Sequence, residues 1–256
     1  MKKIFLMKVL NNVEISPRVH KIEMSRASEI GEIFPGQFLH IKCSEEGILL
    51  RRPISISYTS DKIIGVIIKN VGKGTELLCN SKVGQLWDVL GPLGNGFTVN
   101  EEHRKIMIIG AGIGSAPLLE LAKNIRNREV LVLLGYKEKG FLEKEFEKYA
   151  KTMVATEDGS MGYKGLVTSL AQREIERFKP DVIYACGPQI VLKWVQKTCG
   201  DQGISAQLSI EERMACGIGA CLVCACKLAR EQDEYKYVRV CKEGPVFHAD
   251  EVILDE

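Results

Sequence analysis

The chain has 256 residues, with 35 basic and 33 acidic side chains, four histidines and nine cysteines, and a formal net charge of +2. This length suits two domains of ordinary size and a small appendage, and the nearly balanced charge gives no electrostatic case for nucleic acid as a partner. No apolar stretch approaches a membrane span, and the apolar run at the N-terminus ends at Lys8, too early for a signal peptide. We therefore expect a cytoplasmic protein without a membrane partner, whose cysteines are free to hold metal.

Residues 1–98 are predicted to form a small antiparallel β-barrel. The side chains of segment 38–43 alternate between two faces, with Leu39, Ile41 and Cys43 on one of them. Segment 63–68 is a more continuous apolar strand. Pro35-Gly36 and Gly91-Pro92 are turn signals. Several short strands at this spacing are typical of a barrel.

Two stretches of the predicted barrel have the side chains that a flavin nucleotide needs. In Arg52-Pro53-Ile54-Ser55, a proline fixes an extended segment, so that a guanidinium and a hydroxyl suited to a diphosphate and a flavin edge are neighbours. In Gly72-Lys73-Gly74-Thr75, glycines precede a helix-like segment and suit a phosphate cradle. Alone, the first stretch could be a solvated arginine pair at a strand start, and the second a hairpin turn.

Residues 99–203 are predicted to form a doubly wound α/β domain that binds NAD. Buried-type strands at 105–109, 130–134, 152–155 and 181–185 alternate with helical patterns. The loop Gly110-Ala-Gly112-Ile-Gly114 is shorter than the full dinucleotide fingerprint, but it joins a strand to a helix, where backbone N–H groups can bind a pyrophosphate. Cys186-Gly187-Pro188 ends a later strand, where open α/β sheets bind ligands, and its thiol is a candidate neighbour for nicotinamide.

Residues 204–256 are predicted to form an iron–sulfur domain. Cys216, Cys221, Cys224 and Cys241 have the C-x4-C-x2-C…C spacing of a plant-type 2Fe-2S cluster. A zinc site usually shows two C-x2-C pairs, and a disulfide set suits small secreted domains. Zinc and unliganded thiols remain as alternatives, and Cys226 is interpreted as a spare thiol. The four histidines show no ligand spacing and are assigned no role.

The order of these motifs covers almost the whole chain and resembles the electron-transfer subunits of NAD-dependent (class B) dihydroorotate dehydrogenase, in the ferredoxin–NADP reductase superfamily. The most specific marker is the run EERMACGIGACLVCAC at residues 211–226. The chain departs from the general reductase pattern in one place, because it has Arg-Pro-Ile-Ser where that pattern has Arg-x-Tyr-Ser.

The resemblance implies an electron-transfer subunit that holds FAD and a 2Fe-2S cluster. It would dock on an FMN-containing catalytic subunit, as a heterotetramer with two of each chain, and pass electrons from FMN through the cluster and FAD to NAD in pyrimidine (UMP) biosynthesis. No residue of this chain is expected to act on dihydroorotate. The implied FAD contacts are Arg52, Pro53, Ile54, Ser55, Ile67, Ile68, Lys69, Gly74 and Thr75. The expected NAD contacts are Gly110, Gly112, Gly114, Cys186, Gly187 and Pro188, and the cluster ligands are Cys216, Cys221, Cys224 and Cys241.

Two other functions fit the same motifs. A flavin and iron–sulfur subunit of an NADH-dependent ferredoxin:NADP oxidoreductase or sulfide dehydrogenase would share every cofactor and differ in its partner. A non-catalytic iron–sulfur redox sensor would use the nucleotide domain only to read redox state. Rapid reduction of the cluster by NADH distinguishes an electron carrier from a sensor.

Overall fold

A closed antiparallel barrel forms the N-terminal part of the computed structural model, which describes residues 3–43, 47–230 and 234–254. The barrel order is β1-β2-β5-β4-β3-β6, which confirms the predicted architecture. Its strands are β1 (Ile4–Ser16), β2 (Val19–Ser25), β3 (Phe38–Ile41), β4 (Arg52–Thr59), β5 (Ile63–Lys69) and β6 (Leu86–Leu93), and helix α1 (Lys73–Cys79) connects β5 to β6.

Alternating side chains fill the barrel. Met7, Ile22 and Val66 point inward and are 0% exposed, whereas Leu6, one position from Met7, is 68% exposed. This is the period of two that an antiparallel strand with one wet face requires. Strand β3 departs from the predicted alternation, because all four of its residues are buried. The C-terminal part of the chain covers its outer face, where Gly217 packs on His40.

The middle of the chain forms a seven-stranded sheet of the predicted doubly wound type. The strand order is β10-β9-β8-β7-β11-β12-β15, and every pairing is parallel except that of β15 with β12. Its strands are β7 (Lys105–Ala111), β8 (Glu129–Tyr136), β9 (Lys151–Thr156), β10 (Tyr163–Lys164), β11 (Val182–Cys186), β12 (Ser205–Ser209) and β15 (Val246–His248).

Helices cover both faces of this sheet, which explains why its strands are nearly continuous apolar runs. Leu118 and Phe146 pack in one core cluster, and Leu170 and Leu192 pack in the other. The helices are α2 (Leu118–Asn124), α3 (Glu143–Phe146), α4 (Val167–Phe178) and α5 (Gln189–Gln202). Within the described ranges, no helix combines the length and the apolar character needed to cross a membrane.

The last part of the chain forms a three-stranded sheet of order β14-β13-β16. Its strands are β13 (Ala225–Ala229), β14 (Tyr235–Arg239) and β16 (Val252–Ile253). Strands β12 and β15 follow residue 203 in the chain but pair in the seven-stranded sheet. A boundary at 203/204 therefore divides that sheet, and the limits 1–98, 99–203 and 204–256 stay a prediction.

Polar contacts join the barrel to the α/β part. The buried carboxylate of Glu120, on α2, accepts the Thr59 backbone N–H at 2.8 Å and the Thr59 hydroxyl at 3.1 Å. Lys123 pairs with Glu120 at 3.1 Å. Lys21 of the barrel pairs with Glu145 at 2.9 Å. These bonds fix the carboxyl end of β4 against the first helix of the α/β part.

Candidate functional site

A cleft of about 280 Å³ lies where the barrel, the seven-stranded sheet and the cysteine-rich segment meet. Most residues predicted to contact FAD line it, although they come from two strands and a helix: Pro53, Ile54, Ser55, Ile67, Ile68, Lys69 and Thr75. Strands β4 and β5 are neighbours in the barrel, which is why segments 53–55 and 67–69 reach the same surface. Their role as FAD contacts remains a prediction.

Arg52 and Gly74, the other two predicted FAD residues, touch each other and directly precede Pro53 and Thr75, which line the cleft. A Cβ atom built on Gly74 would lie 2.3 Å from the Arg52 Nε, so the guanidinium occupies the space that a side chain would fill. The hydroxyl of Thr75 accepts the Val71 N–H at 2.9 Å and closes the turn that precedes α1. A planar cation beside a glycine-containing turn fits a diphosphate group.

The predicted NAD residues lie together at the carboxyl ends of two adjacent strands. Strand β11 pairs with β7 so that Cys186 is opposite Gly110. A Cβ on Gly114 would lie 2.6 Å from the Gly187 Cα, and Gly112 has open space around it. The glycine loop therefore packs directly on the Cys186-Gly187 turn, which is the place where open α/β sheets bind nucleotides.

The Cys186 thiol lines the cleft but is only 2% exposed. Burial, together with the charge of Glu211, raises the pKa of Cys186 to about 12. The thiol therefore stays protonated at neutral pH and can act as a contact for a bound ring, whereas a nucleophile would need the thiolate. Pro188 directly precedes α5.

The Cys216 thiol is prepared for ionisation by its own loop. The backbone N–H groups of Ile218 and Ala220 point at the Cys216 sulfur, at 3.5 and 3.3 Å. Burial opposes ionisation, but these donors and the Cys221 thiol outweigh it and lower the pKa of Cys216 to about 6. Thiolates are the form that binds metal, so this loop is suited to a metal ligand.

The four predicted ligands lie in two pairs. Cys216 contacts Cys221, and Cys224 contacts Cys241, whose N–H donates to the Cys224 sulfur at 3.4 Å. Among the residues that the structure describes, no three His, Cys, Asp or Glu side chains converge on a single ion position. In a plant-type cluster, two irons each take two thiolates. The pairs thus fit a two-iron cluster.

Cys226 lies on β13 opposite Val238, apart from these pairs. Burial and the charge of Glu212 raise the pKa of its thiol to about 12. A neutral, half-buried thiol on a paired strand fits the prediction of a spare cysteine, which stays a prediction.

Several residues that line the cleft were not predicted from the sequence. Ile113, Ala116 and Pro117 come from the glycine loop and the start of α2, and Glu211, Glu212 and Met214 come from the segment between β12 and Cys216. The second group falls in the run at residues 211–226, the most specific family marker, in which the sequence predicts a site role only for cysteines. Residues 211–214 connect β12 to the loop at residues 216–221, which we call the cluster loop, and they therefore reach the cleft.

His40 is a further residue that sequence reasoning missed. It is 0% exposed, and a Cβ on Gly217 of the cluster loop would lie 2.5 Å from its Nδ1 atom. Burial, followed by the charge of Arg51, lowers the pKa of His40 to about 4. No ligand spacing signals this residue, because its neighbour in space is 177 positions away in the chain.

Comparison with known proteins found a matching family model and relatives that are similar over nearly the whole chain. Residues 211–253 match the model of the iron–sulfur cluster binding domain of dihydroorotate dehydrogenase B. The electron transfer subunit of dihydroorotate dehydrogenase B (NAD(+)) from Caldanaerobacter subterraneus subsp. tengcongensis is 41% identical over 247 residues, which cover 96% of this chain and 97% of that protein. The protein of the same name from Clostridium acetobutylicum is 40% identical, with 97% of each chain covered.

Solved structures agree with the fold. A structure of the NADH-dependent reduced ferredoxin–NADP oxidoreductase, which performs flavin-based electron bifurcation, superposes with a TM-score of 0.84 at 28% identity, covering 98% of this chain and 90% of that one. The ferredoxin reductase of carbazole 1,9a-dioxygenase superposes with a TM-score of 0.68 at 20% identity, covering 79% of this chain and 67% of that one. The second likeness concerns the fold alone.

Proposed function

This chain belongs to the family of electron-transfer subunits of dihydroorotate dehydrogenase B, and we propose that it passes electrons from an FMN-containing catalytic subunit, through a 2Fe-2S cluster and FAD, to NAD in pyrimidine (UMP) biosynthesis. The observation that carries this proposal is the meeting of three predicted sites at one place. The Arg52–Ser55 strand, the Cys186 turn and the segment that leads into Cys216 all border the same cleft.

The bound groups divide the redox chemistry, since NAD takes up electrons in pairs as hydride, the cluster carries one at a time, and FAD can do both. The protein's part is to bind, space and orient these groups. We propose that Arg52 and the Gly74-Thr75 turn hold the diphosphate of FAD, while residues 53–55 and 67–69 surround its ring. The glycine loop and the Cys186-Gly187-Pro188 turn would receive NAD at the edge of the sheet.

Cys216, Cys221, Cys224 and Cys241 are the proposed cluster ligands, and the loop N–H groups that point at Cys216 would tune the cluster's reduction potential. The proposed functional units are the flavin barrel at 1–98, the NAD domain at 99–203 and the cluster domain at 204–256, with β12 and β15 of the last unit completing the NAD-domain sheet. We assign no residue of this chain to dihydroorotate.

The proposed assembly is a cytoplasmic heterotetramer of two copies of this chain and two FMN-containing catalytic subunits. The family supports the partner, because its members are named as electron transfer subunits of a dehydrogenase. We propose no nucleic-acid or membrane partner, in keeping with the net charge of +2.

The test compares the chain purified anaerobically alone with the chain coexpressed with an FMN-containing catalytic subunit of this family. Alone, it should contain FAD and two irons with two acid-labile sulfides, and it should oxidise NADH with an artificial acceptor but leave dihydroorotate untouched. With the partner, dihydroorotate should reduce NAD. Oxidation of dihydroorotate by the isolated chain, or a chain that stays iron-free after reconstitution with sulfide, would contradict the proposal.

A second function has one observation in its favour. The likeness to the NADH-dependent ferredoxin–NADP oxidoreductase structure extends over 98% of this chain at a TM-score of 0.84. A flavin and iron–sulfur subunit of such an oxidoreductase, or of a sulfide dehydrogenase, would hold the same cofactors. Copurification from the native cell decides between the two, because an FMN protein supports the first function and a larger iron–sulfur flavoprotein supports the second.

A further inference from the structure

His40 lies between the strand with the predicted flavin contacts and the loop with the first cluster ligand. In the barrel it pairs with Pro53 of β4 on one side and with Leu90 of β6 on the other. Its outer side faces Gly217, the residue after Cys216. Through its backbone and its ring, His40 thus borders both of the predicted redox sites.

The imidazole and the cluster loop are in close contact. A Cβ on Gly217 would lie 2.5 Å from the His40 Nδ1 and 3.1 Å from its Cγ and Cε1 atoms, so only glycine lets the loop backbone lie flat on the ring. Gly217 also has a positive φ of 68°, which an L side chain adopts at a cost. Both the missing side chain and the positive φ of Gly217 therefore fit its position against the His40 ring.

The ring has a hydrogen-bond donor without a regular acceptor. Either tautomer of a neutral imidazole has one N–H. The Cys216 backbone lies near the ring, but within the described ranges neither nitrogen of His40 makes a hydrogen bond of normal geometry. A wholly buried donor without a partner is destabilising, because it has lost its hydrogen bonds to water. On the side of the loop, the Cys216 backbone is the group available to accept from it.

Arg51 fixes the strand that holds His40 and leaves the ring itself free to face the loop. Its guanidinium donates to the backbone oxygens of Asp88, at 2.9 Å, and His40, at 3.3 Å, and pairs with the Asp88 carboxylate at 2.8 Å. The imidazole is therefore held by its backbone on a rigid strand, with its ring against the cluster loop.

We propose that His40 is a positioning residue that braces the Cys216–Gly217 segment, and with it the first cluster ligand, against β4, the strand with the predicted flavin contacts. The proposal rests on the function proposed above and adds the residue that sets the contact between its two redox sites. The Nδ1 edge of its ring lies against Gly217, the residue directly after the first ligand, and the hydrogen bonds and packing around a cluster's sulfurs set its reduction potential.

The first experiment compares His40→Leu, which lacks the donor, with His40→Asn, which retains one, in the full-length chain reconstituted anaerobically. We expect His40→Leu to bind FAD normally but to shift the EPR spectrum of the reduced cluster. At a fixed potential it should lower the ratio of reduced to oxidised cluster about tenfold, equivalent to about 59 mV for one electron. His40→Asn should recover most of this loss, and the exposed His248→Leu should match the parent chain.

The second experiment changes the side-chain volume at the two residues in contact, His40 and Gly217. Gly217→Ala places a methyl group in the imidazole and should lower the iron content, whereas His40→Ala with Gly217→Ala frees that space and should recover part of the iron. If His40→Leu does not fold, Gly217→Ala and the double variant still show whether the imidazole supports the cluster loop. An unchanged potential and EPR spectrum in His40→Leu, or an iron loss in Gly217→Ala that does not depend on the imidazole, would overturn the proposal.

The two proposals fail in different ways. If the parent chain itself holds no iron or is not reduced by NADH, the proposed function is wrong. If the parent chain holds the cluster and NADH reduces it, but all His40 variants behave like the parent chain, only the role of His40 is wrong.

Discussion

The thiols at the cysteine-rich end differ in their surroundings more than their spacing suggests. Cys221 is exposed, whereas Cys224 is 2% exposed and Cys241 is 0% exposed. Burial, followed by the neighbouring Cys224, raises the pKa of Cys241, while loop N–H donors lower that of Cys216. Since metal binding requires thiolates, the exposed and activated pair Cys216–Cys221 is the side from which we expect the site to load.

Serine substitutions test the choice of the third ligand. Cys224→Ser should abolish the visible iron–sulfur absorbance, because it removes one thiolate from the Cys224–Cys241 pair. Cys226→Ser, two residues away, should keep the absorbance and the iron content of the parent chain, because Cys226 belongs to neither of the two proposed ligand pairs and its strand is paired with β14. Absorbance spectra and iron analysis of the two variants, prepared side by side, provide the measurement. The reverse result would exchange the two cysteines in the ligand set.

At the scale of elements, the predicted flavin site depends on a helix start packed on a strand start. Lys73–Cys79 forms α1, and its second residue, Gly74, touches Arg52, the first residue of β4. The two motifs were predicted independently and lie 20 positions apart. The fold brings them together because α1 follows β5, the strand that pairs with β4.

Gly74→Ala tests this contact. Its methyl group would clash with the Arg52 guanidinium, at 2.3 Å from Nε, and we expect FAD affinity to fall roughly tenfold, as for a lost hydrogen bond to a charged group. Alanine is a better helix former than glycine, so a weaker α1 cannot explain the loss. Titration of the apoprotein with FAD measures it. Gly200→Ala, inside helix α5 and outside the predicted sites, is the matched control, since nothing lies within 4 Å of its added methyl group. Equal affinities in both variants would contradict the role of Arg52.

At the scale of the whole molecule, the barrel and the α/β part are joined by a buried carboxylate. Glu120 is 4% exposed and bonds to both the backbone and the side chain of Thr59, with Lys123 as its counterion. A buried charge with several donors contributes more than an exposed pair, since water competes less. This connection holds β4, with the predicted FAD residues, against the α/β part, with the predicted NAD residues.

Glu120→Ala should therefore destabilise the chain by about 2–4 kcal/mol, because it leaves the Thr59 N–H without its acceptor and Lys123 without its counterion. Glu129→Ala is the control, since its pair with Lys105 is 3.7 Å long and the glutamate side chain is 59% exposed, and we expect a loss below about 1 kcal/mol. Urea unfolding of the two variants, followed by flavin fluorescence, measures the difference. Similar losses in both would show that Glu120 does not join the two parts.

The sequence by itself determined the elements and the chemistry of the chain. The alternation of segment 38–43 and the continuous apolar run at 63–68 indicated strands, the buried runs and helical patterns after residue 104 indicated a doubly wound sheet, and the cysteine spacing indicated a cluster. These features are local, because hydrophobic period, turn residues and ligand spacing are each written within a few residues. The order of the motifs carried the resemblance to the family, and the comparisons confirmed the family.

The tertiary structure decided which of these local features meet. Only the folded chain shows that residues 211–214 reach the cleft, that Arg52 packs on Gly74, and that His40 lies under Gly217. It also shows that β12 and β15 complete the seven-stranded sheet. The physical reason is the same in each case. Such contacts join residues far apart in the chain, and they depend on strand order and on how whole elements pack, which no local pattern specifies.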